Sequence, residues 1–174
     1  YAEGDFDTSG SIRTAVLCQL DAEGAPIGRA PDELTQAVVD WALAQRGKPY
    51  IWGGTGPDGF DCSGLTHKAY ESIGVAIPRI SQDQWNFGPE IPMGEEQPGD
   101  LVFFNVTRTG EPPGPGHMAM VIGDGLMVEA WCTNCGPIAV REYDDPNRAD
   151  IVGFTRPLEH PDVKAQLEAQ DNRG

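Results

Sequence analysis

Apolar residues in the first half of the chain recur at the spacing of α-helices. One apolar stripe lies between Pro31 and Gly47, and proline at the start with glycine at the end predicts a helix over that span. A second stripe, at Leu65, Ala69 and Ile73, predicts another helix. Each stripe covers one face of its helix, so we expect both helices to pack against the core of the domain.

The apolar pattern changes to short strands after Pro98. Before that point, residues 81–84 resemble a capping box that opens one short helical turn. The predicted strands are residues 101–104, 117–122, 126–131, 138–142 and 151–155. Helices followed by strands indicate an α+β domain, with the helices packed on an antiparallel sheet, rather than a wound parallel sheet.

Length and composition divide the chain into three parts. At 174 residues the chain is long enough for one domain with a real core, which we place at residues 31–157. We interpret residues 1–30 as an N-terminal lead-in or linker and residues 158–174 as a polar C-terminal tail. Because the chain begins at Tyr1 rather than at methionine, we expect an upstream segment, either an export signal or a further domain.

The charge balance excludes two classes of partner. Lysine and arginine together number 12 against 27 acidic residues, which gives a net charge of −15. Nucleic acids and anionic membrane surfaces attract basic patches, so we expect neither as a partner. No apolar run approaches the length of about 18 residues that a membrane helix needs, and we expect no membrane insertion of this segment.

One cysteine stands between a glycine-rich loop and the second predicted helix. Asp61 is a good N-cap residue, which makes Cys62 the first residue of that helix. A thiol at this position lies at the positive end of the helix dipole, which favours the thiolate over the thiol. Because the thiolate is the nucleophilic form, we interpret Cys62 as a catalytic nucleophile.

A cysteine nucleophile requires an imidazole within hydrogen-bonding reach, and the chain has 3 histidines. His67 lies about 140° around the helix from Cys62 and cannot face its thiol. His160 lies in the polar tail. His117 begins a predicted strand directly after a loop rich in proline and glycine, where a strand edge can present it to a cleft. We therefore predict His117 as the base.

Strand pairing predicts the residue that orients this imidazole. Residues 123–125 are a Gly-Asp-Gly turn signal, and a three-residue loop pairs Ile122 with Leu126. In that register His117 and Glu129 are diagonal neighbours on one face of the sheet, whereas a two-residue loop puts Glu129 on the opposite face. An acidic residue is unusual in the middle of an apolar strand and therefore indicates a specific role. We expect that role to be the orientation of the His117 imidazole by Glu129.

Five short motifs carry a family resemblance. They are Gly-Lys-Pro-Tyr-Ile-Trp-Gly-Gly, Phe-Asp-Cys-Ser-Gly-Leu, Pro-Arg-Ile-Ser, Pro-Gly-Asp-Leu-Val-Phe-Phe and His-Met-Ala-Met-Val-Ile-Gly, in that order. With these motifs the chain resembles the NlpC/P60 cysteine peptidases, which cut bacterial cell-wall peptides, over roughly residues 34–156. The resemblance implies that residues 31–157 form a catalytic domain.

The resemblance implies a papain-like α+β fold and a reaction. Cys62 and His117 match the catalytic cysteine and histidine, and Glu129 takes the place of a third polar residue that is commonly histidine. The implied reaction is hydrolysis of the bond between D-γ-glutamate and a diamino acid, usually meso-diaminopimelate, in a peptidoglycan stem. The resemblance further implies a secreted or cell-envelope enzyme that acts without a metal or another cofactor, and we expect a monomer.

Further residues are candidates for the binding groove. By resemblance these are Tyr50, Asp61, Ser63, Arg79 and Ser81. The predicted register sets Trp131 opposite His117, where it lies either in the core or in the wall of the cleft. Two alternatives to the peptidase remain open from the sequence. One is an amidase or transacylase on the same scaffold, and the other is a cell-wall-binding module without catalysis.

Cys132 and Cys135 lie outside these motifs. A zinc site needs about four ligands, and no second cysteine or histidine pair completes one. We expect a structural disulfide, either between Cys132 and Cys135 or from one of them to Cys18. Either bond is typical of an exported protein.

Overall fold

Three helices occupy the first half of the chain, as far as the structure describes it. The computed structural model describes residues 31–106 and 115–173. Its helices in the first half are α1 (Pro31–Leu43), α2 (Cys62–Glu71) and α3 (Ser81–Phe87). Helix α1 is shorter than predicted, because Gly47 ends the turn that follows the helix rather than the helix itself. Its φ of 91° is a left-handed conformation that glycine adopts without strain.

Helix α3 begins differently from the prediction. The capping box predicted at residues 81–84 is wrong, because Ile80 is the N-cap and makes no side-chain hydrogen bond. Ser81 is instead the first helical residue, and its hydroxyl donates to the carbonyl oxygen of Pro115 at 2.8 Å. This buried hydrogen bond ties the start of α3 to the segment that leads into the strand beginning at His117.

The second half of the chain forms one antiparallel sheet. Its strands are β1 (Glu90–Ile91), β2 (Leu101–Phe104), β3 (His117–Gly123), β4 (Leu126–Glu129), β5 (Ala139–Glu142) and β6 (Ile151–Thr155). In the described residues they make a six-stranded sheet in the order β1-β6-β2-β3-β4-β5. The predicted α+β class and antiparallel sheet are confirmed. Strand β1 was not predicted, since two residues carry no alternation.

The core lies on both faces of the central strands. All residues of β2 are buried, as are residues 117–121 of β3, and continuous burial means that both faces are covered. On one face, the hydroxyl of Thr66 in α2 contacts the sulfur of Met118 at 3.7 Å. The opposite face packs into an apolar cluster that includes Val102, Ala119 and Met127. The sheet therefore forms a rigid platform for α2.

The register of β3 and β4 is as predicted, although the turn is not. Met120 pairs with Val128, which matches the register inferred from a three-residue loop. At the turn, however, Gly123 rather than Ile122 pairs with Leu126, which leaves a two-residue loop. A register shift at Ile122 compensates for the shorter loop, because a bulge inserts one extra residue into its strand. Residues beyond the bulge thus keep the predicted faces.

The polar segment after β6 forms a 3₁₀ turn and a helix, α4 (Pro161–Arg173). Val163 of α4 is fully buried. The side chain of Gln166 accepts a hydrogen bond from the backbone of Ala76 at 2.8 Å, and Gln170 donates to the carbonyl of Gly74 at 2.9 Å. The described residues from Thr35 onward form one compact unit. No helix in the described ranges is long and apolar enough to cross a membrane.

Replacing Leu65 by alanine should destabilise this unit by about 2 to 5 kcal/mol. The side chain of Leu65 is fully buried in α2, and alanine favours the helix, so the change isolates the loss of packing. Urea denaturation followed by circular dichroism measures the free energy of unfolding. The matched control is Met93→Ala, because the side chain of Met93 is 69% exposed. A loss for Leu65→Ala no larger than that of the control would contradict this packing.

Candidate active site

Cys62 lies at the N-terminus of α2, as predicted. The preceding residue, Asp61, has an extended backbone, and its Oδ1 accepts a hydrogen bond from the N–H of Gly64 at 2.6 Å. This is the predicted N-cap, in which a carboxylate binds an amide of the first turn that has no acceptor within the helix. Cys62 is buried. Its sulfur lies at the positive end of the helix dipole.

Gly64, the glycine of the Asp-Cys-Ser-Gly motif, occupies a position with no room for a side chain. A Cβ atom on Gly64 would collide with the carbonyl oxygen of Gly54 and would stand 2.8 Å from Oδ1 of Asp61. The glycine-rich loop 53–59 therefore packs directly against the first turn of α2. The N–H of Asp61 donates to the carbonyl of Gly54 at 3.1 Å and closes the same contact. Glycine at position 64 is what allows the loop to approach the nucleophile so closely.

Asp61, Ser63 and Arg79 form one hydrogen-bonded cluster beside Cys62. The guanidinium of Arg79 donates to Oδ2 of Asp61 and to the hydroxyl of Ser63, each at 2.9 Å. The N–H of Gly53 donates to the same Asp61 oxygen at 3.1 Å. The structure therefore brings three of the predicted groove residues together. Arg79 keeps 33% of its side chain exposed.

The other predicted groove residues lie in different surroundings. Tyr50 is buried and pairs through its backbone with Phe60, just before the nucleophile motif. Ser81 is also buried, in its hydrogen bond with Pro115. Trp131 is half-buried and follows the end of β4. Their contacts with a substrate stay predictions.

His117 and Glu129 form a buried hydrogen bond. His117 begins β3 and Glu129 ends β4, and Nε2 of the imidazole lies 2.7 Å from Oε1 of the carboxylate. The two side chains are 2% and 0% exposed. Because the carboxylate accepts, Nε2 carries the hydrogen. Nδ1 is buried and has no hydrogen-bond partner among the described nitrogen and oxygen atoms, which leaves it as the ring nitrogen available to Cys62.

The site favours the charged form of the imidazole. Burial lowers the pKa of His117, but the hydrogen bonds of the ring with Cys62 and Glu129 outweigh burial and raise the pKa above the ordinary histidine value. Burial alone would raise the pKa of Glu129, and hydrogen bonds from His117 and Arg148 lower it instead. The arrangement therefore supports an imidazolium between a carboxylate and a thiolate. A thiolate held beside an imidazolium can attack a carbonyl carbon.

Two arginines complete the surroundings of Glu129. Arg148 donates to both of its oxygens, at 2.8 Å and 2.6 Å, and Arg141 approaches Oε2 at 3.3 Å. The guanidinium of Arg148 stacks 3.8 Å from the centre of the Trp131 ring. The structure thus places Trp131 against the cation that binds Glu129.

The part of the chain that carries Cys62, His117 and Glu129 matches a known protein family. A model of the NlpC/P60 family matches residues 47–150, which include all three residues. The chain belongs to the NlpC/P60 family. It is 40% identical over 124 residues to a probable endopeptidase of Corynebacterium glutamicum (strain R), a match that covers 71% of this chain and 56% of that protein. The chain thus spans about half the length of this relative.

Two further proteins are similar to the chain. A γ-D-glutamyl-L-lysine dipeptidyl-peptidase of Bacillus cereus is 46% identical over 87 residues, which cover 48% of this chain and 25% of that protein. The structure of the peptidoglycan hydrolase RipB from Mycobacterium tuberculosis superposes with a TM-score of 0.59 at 29% identity and covers 85% of this chain and 81% of that one. The predicted family and fold are confirmed.

A disulfide joins Cys132 and Cys135 in the loop between β4 and β5. The structure therefore shows the first of the predicted alternatives, the bond between Cys132 and Cys135. Cys18, the partner in the other alternative, lies outside the described residues. The loop reaches the site through Arg141, which donates to the carbonyl oxygens of Cys135 and Pro137, each at 3.2 Å. Within the described ranges, no group of histidine, cysteine and acidic residues could hold a metal ion.

Sequence reasoning missed both arginines. Arg141 could have been found by extending the pairing argument to β5, since Glu129 pairs with Ala139 and Arg141 is its diagonal neighbour. Arg148 lies in the loop between β5 and β6, where no register applies. A buried carboxylate implies that a cation lies nearby, but the sequence does not identify which arginine or lysine that is.

Replacing Asp61 by alanine should destabilise the fold by about 1 to 3 kcal/mol, because the N-cap is lost and Arg79 loses its partner. Asp61→Asn should cost less, since an amide oxygen can still accept from Gly64. Thermal and urea unfolding measure the difference. Asp58→Ala, at an exposed acid of the same loop, is the matched control. Equal stability of Asp61→Ala and the control would show that the cap does not hold this helix.

Proposed function

We propose that this chain is a cysteine endopeptidase that cuts peptidoglycan stem peptides between D-γ-glutamate and a diamino acid, meso-diaminopimelate being the expected one. The observation that carries the proposal is the buried hydrogen bond of His117 with Glu129, beside a cysteine at a helix N-terminus. These are the parts of an acyl-transfer site: a nucleophile, a proton carrier and a group that orients it.

The proposed reaction uses these three groups in turn. The Cys62 sulfur attacks the γ-carbonyl carbon, and a tetrahedral intermediate forms with its charge on the oxygen. The backbone N–H of Cys62, at the positive end of α2, is the candidate donor to that oxygen. The imidazolium of His117 gives its Nδ1 proton to the leaving amine, and the C–N bond breaks. Neutral His117 then takes a proton from water, and the resulting hydroxide releases the acyl group from sulfur.

The relatives support the bond and the substrate class. The name of the Bacillus cereus relative states a γ-D-glutamyl bond to a diamino acid, lysine, and RipB is named as a peptidoglycan hydrolase. The partly exposed Arg79 beside Cys62 offers a cation to a stem peptide, whose D-glutamate and diaminopimelate carry carboxylates. A cell-envelope or secreted location and a monomeric state belong to the same proposal.

Cys62→Ala and His117→Ala should each abolish cleavage of purified diaminopimelate-type muropeptides, because the first removes the nucleophile and the second the proton carrier. Mass spectrometry identifies the bond by the masses of the fragments. His160→Ala is the matched control, since His160 stacks on Phe87 and lies outside the site. Thermal unfolding checks that each variant remains folded.

Fragments split between D-γ-glutamate and diaminopimelate, absent with Cys62→Ala, would establish the enzyme and its bond. Wild-type rates for either Cys62→Ala or His117→Ala would reject the mechanism. If folded, reduced wild-type protein cleaves no muropeptide but binds it, the chain is a wall-binding module. Cleavage of another amide instead would make it an amidase on the same scaffold.

A further inference from the structure

Arg148 makes the most extensive contact with Glu129. Its two terminal nitrogens bind separate carboxylate oxygens, Nη1 to Oε2 at 2.8 Å and Nη2 to Oε1 at 2.6 Å. This forked geometry fixes the plane of the carboxylate as well as its position. Oε1 is also the oxygen that accepts from Nε2 of His117 at 2.7 Å. The orientation of the imidazole is therefore linked to Arg148 through one shared atom.

Aromatic rings hold the guanidinium in place. The ring centre of Trp131 lies 3.8 Å from the guanidinium carbon of Arg148, and that of Phe104 lies 5.1 Å from it. The Phe104 ring is in turn 5.5 Å from the imidazole of His117. The side chain of Arg148 is only 4% exposed. Arg148 stands in a loop, yet its side chain is buried like that of a core residue.

The charged groups around Glu129 determine whether its carboxylate is ionised. The ionisable groups that face Glu129 in the described residues are His117 from β3, Arg141 from β5 and Arg148 from the following loop, and Cys62 of α2 faces the other side of His117. A fully buried carboxylate with too few cations takes up a proton. Arg141 offers one contact at 3.3 Å and is 22% exposed, so Arg148 is the closer and the more buried of the two cations.

We propose that Arg148 is a positioning residue of the site: it keeps Glu129 ionised and oriented, and through Glu129 it holds Nδ1 of His117 toward Cys62. This inference rests on the proposed function in one respect, the reaction that the site catalyses. The arrangement of Arg148, Glu129, His117 and Cys62 can be tested without any substrate.

The sign of the effect follows from electrostatics. Removing a cation makes every proton of the site harder to remove, so the Cys62 thiolate forms only at higher pH. An unpaired Glu129 also holds the imidazole less firmly. A residue that merely supported the fold would lower stability without moving the pH at which the thiolate forms.

The test is alkylation of Cys62 by iodoacetamide as a function of pH, quantified by mass spectrometry on the peptide that carries Cys62. In Arg148→Met the pH of half-maximal rate should rise by roughly 0.5 to 1 unit. Arg148→Lys keeps the charge and should shift the midpoint less. Arg46→Met is the matched control, because Arg46 is exposed and contacts only the carbonyl of Leu43 among the described partners. Its midpoint should equal that of the wild type.

An unchanged midpoint in folded Arg148→Met would overturn the proposal. If Arg148→Met does not fold, Arg148→Lys decides through kinetics on muropeptides. A kcat lowered roughly tenfold at unchanged KM supports positioning, and a wild-type kcat overturns it. A shifted alkylation midpoint in a chain that cleaves no muropeptide would keep the role of Arg148 and reject the proposed function, so the two failures are distinguishable.

Discussion

The hydrogen bond between His117 and Glu129 is the constraint on which the site depends. Both groups are buried, so the bond requires an ionised carboxylate in a place where burial favours its neutral form. The bulge at Ile122 keeps the two residues on one face of the sheet, and Arg148 keeps the carboxylate charged. A buried ionic network of this kind is weak evidence for stability, because the cost of desolvating the charges offsets their attraction. We infer that the domain retains it for the chemistry of Cys62.

The nucleophile reaches this pair from a separate element. Helix α2 packs on β3 through Thr66 and Met118, while Asp61 and Gly64 fix the first helical turn against the glycine-rich loop. Loop and helix therefore set the position of the sulfur, and strand pairing sets the position of the imidazole. Because the two are anchored independently on one rigid sheet, their approach does not depend on either side chain holding the other. This is the preorganisation that acyl transfer in a buried site requires.

Local signals in the sequence were sufficient for most of this arrangement. Asp61 as N-cap, Cys62 at the first helical position and the shared face of His117 and Glu129 all follow from spacing and parity. The predicted loop at residues 123–125 was one residue too long. The bulge at Ile122 compensates for that residue, so the residues beyond it still lie on the predicted faces of the sheet. Arg148 could not be predicted, since its partner is chosen by tertiary packing of a loop and no periodicity applies there. Ser81 was misjudged for the same reason: its hydroxyl bonds a distant carbonyl, not its own helix.

We expect Glu129 to hold His117 as an imidazolium beside Cys62. NMR of protein labelled with ¹⁵N-histidine measures it directly, since the chain has 3 histidines and the His117 signals are those absent from His117→Ala. Both ring nitrogens of His117 should stay protonated above the ordinary histidine pKa of about 6.5, and Glu129→Gln should lower the pH at which the ring loses its proton. A His117 ring that is neutral below that value, or one that titrates identically in Glu129→Gln, would contradict it.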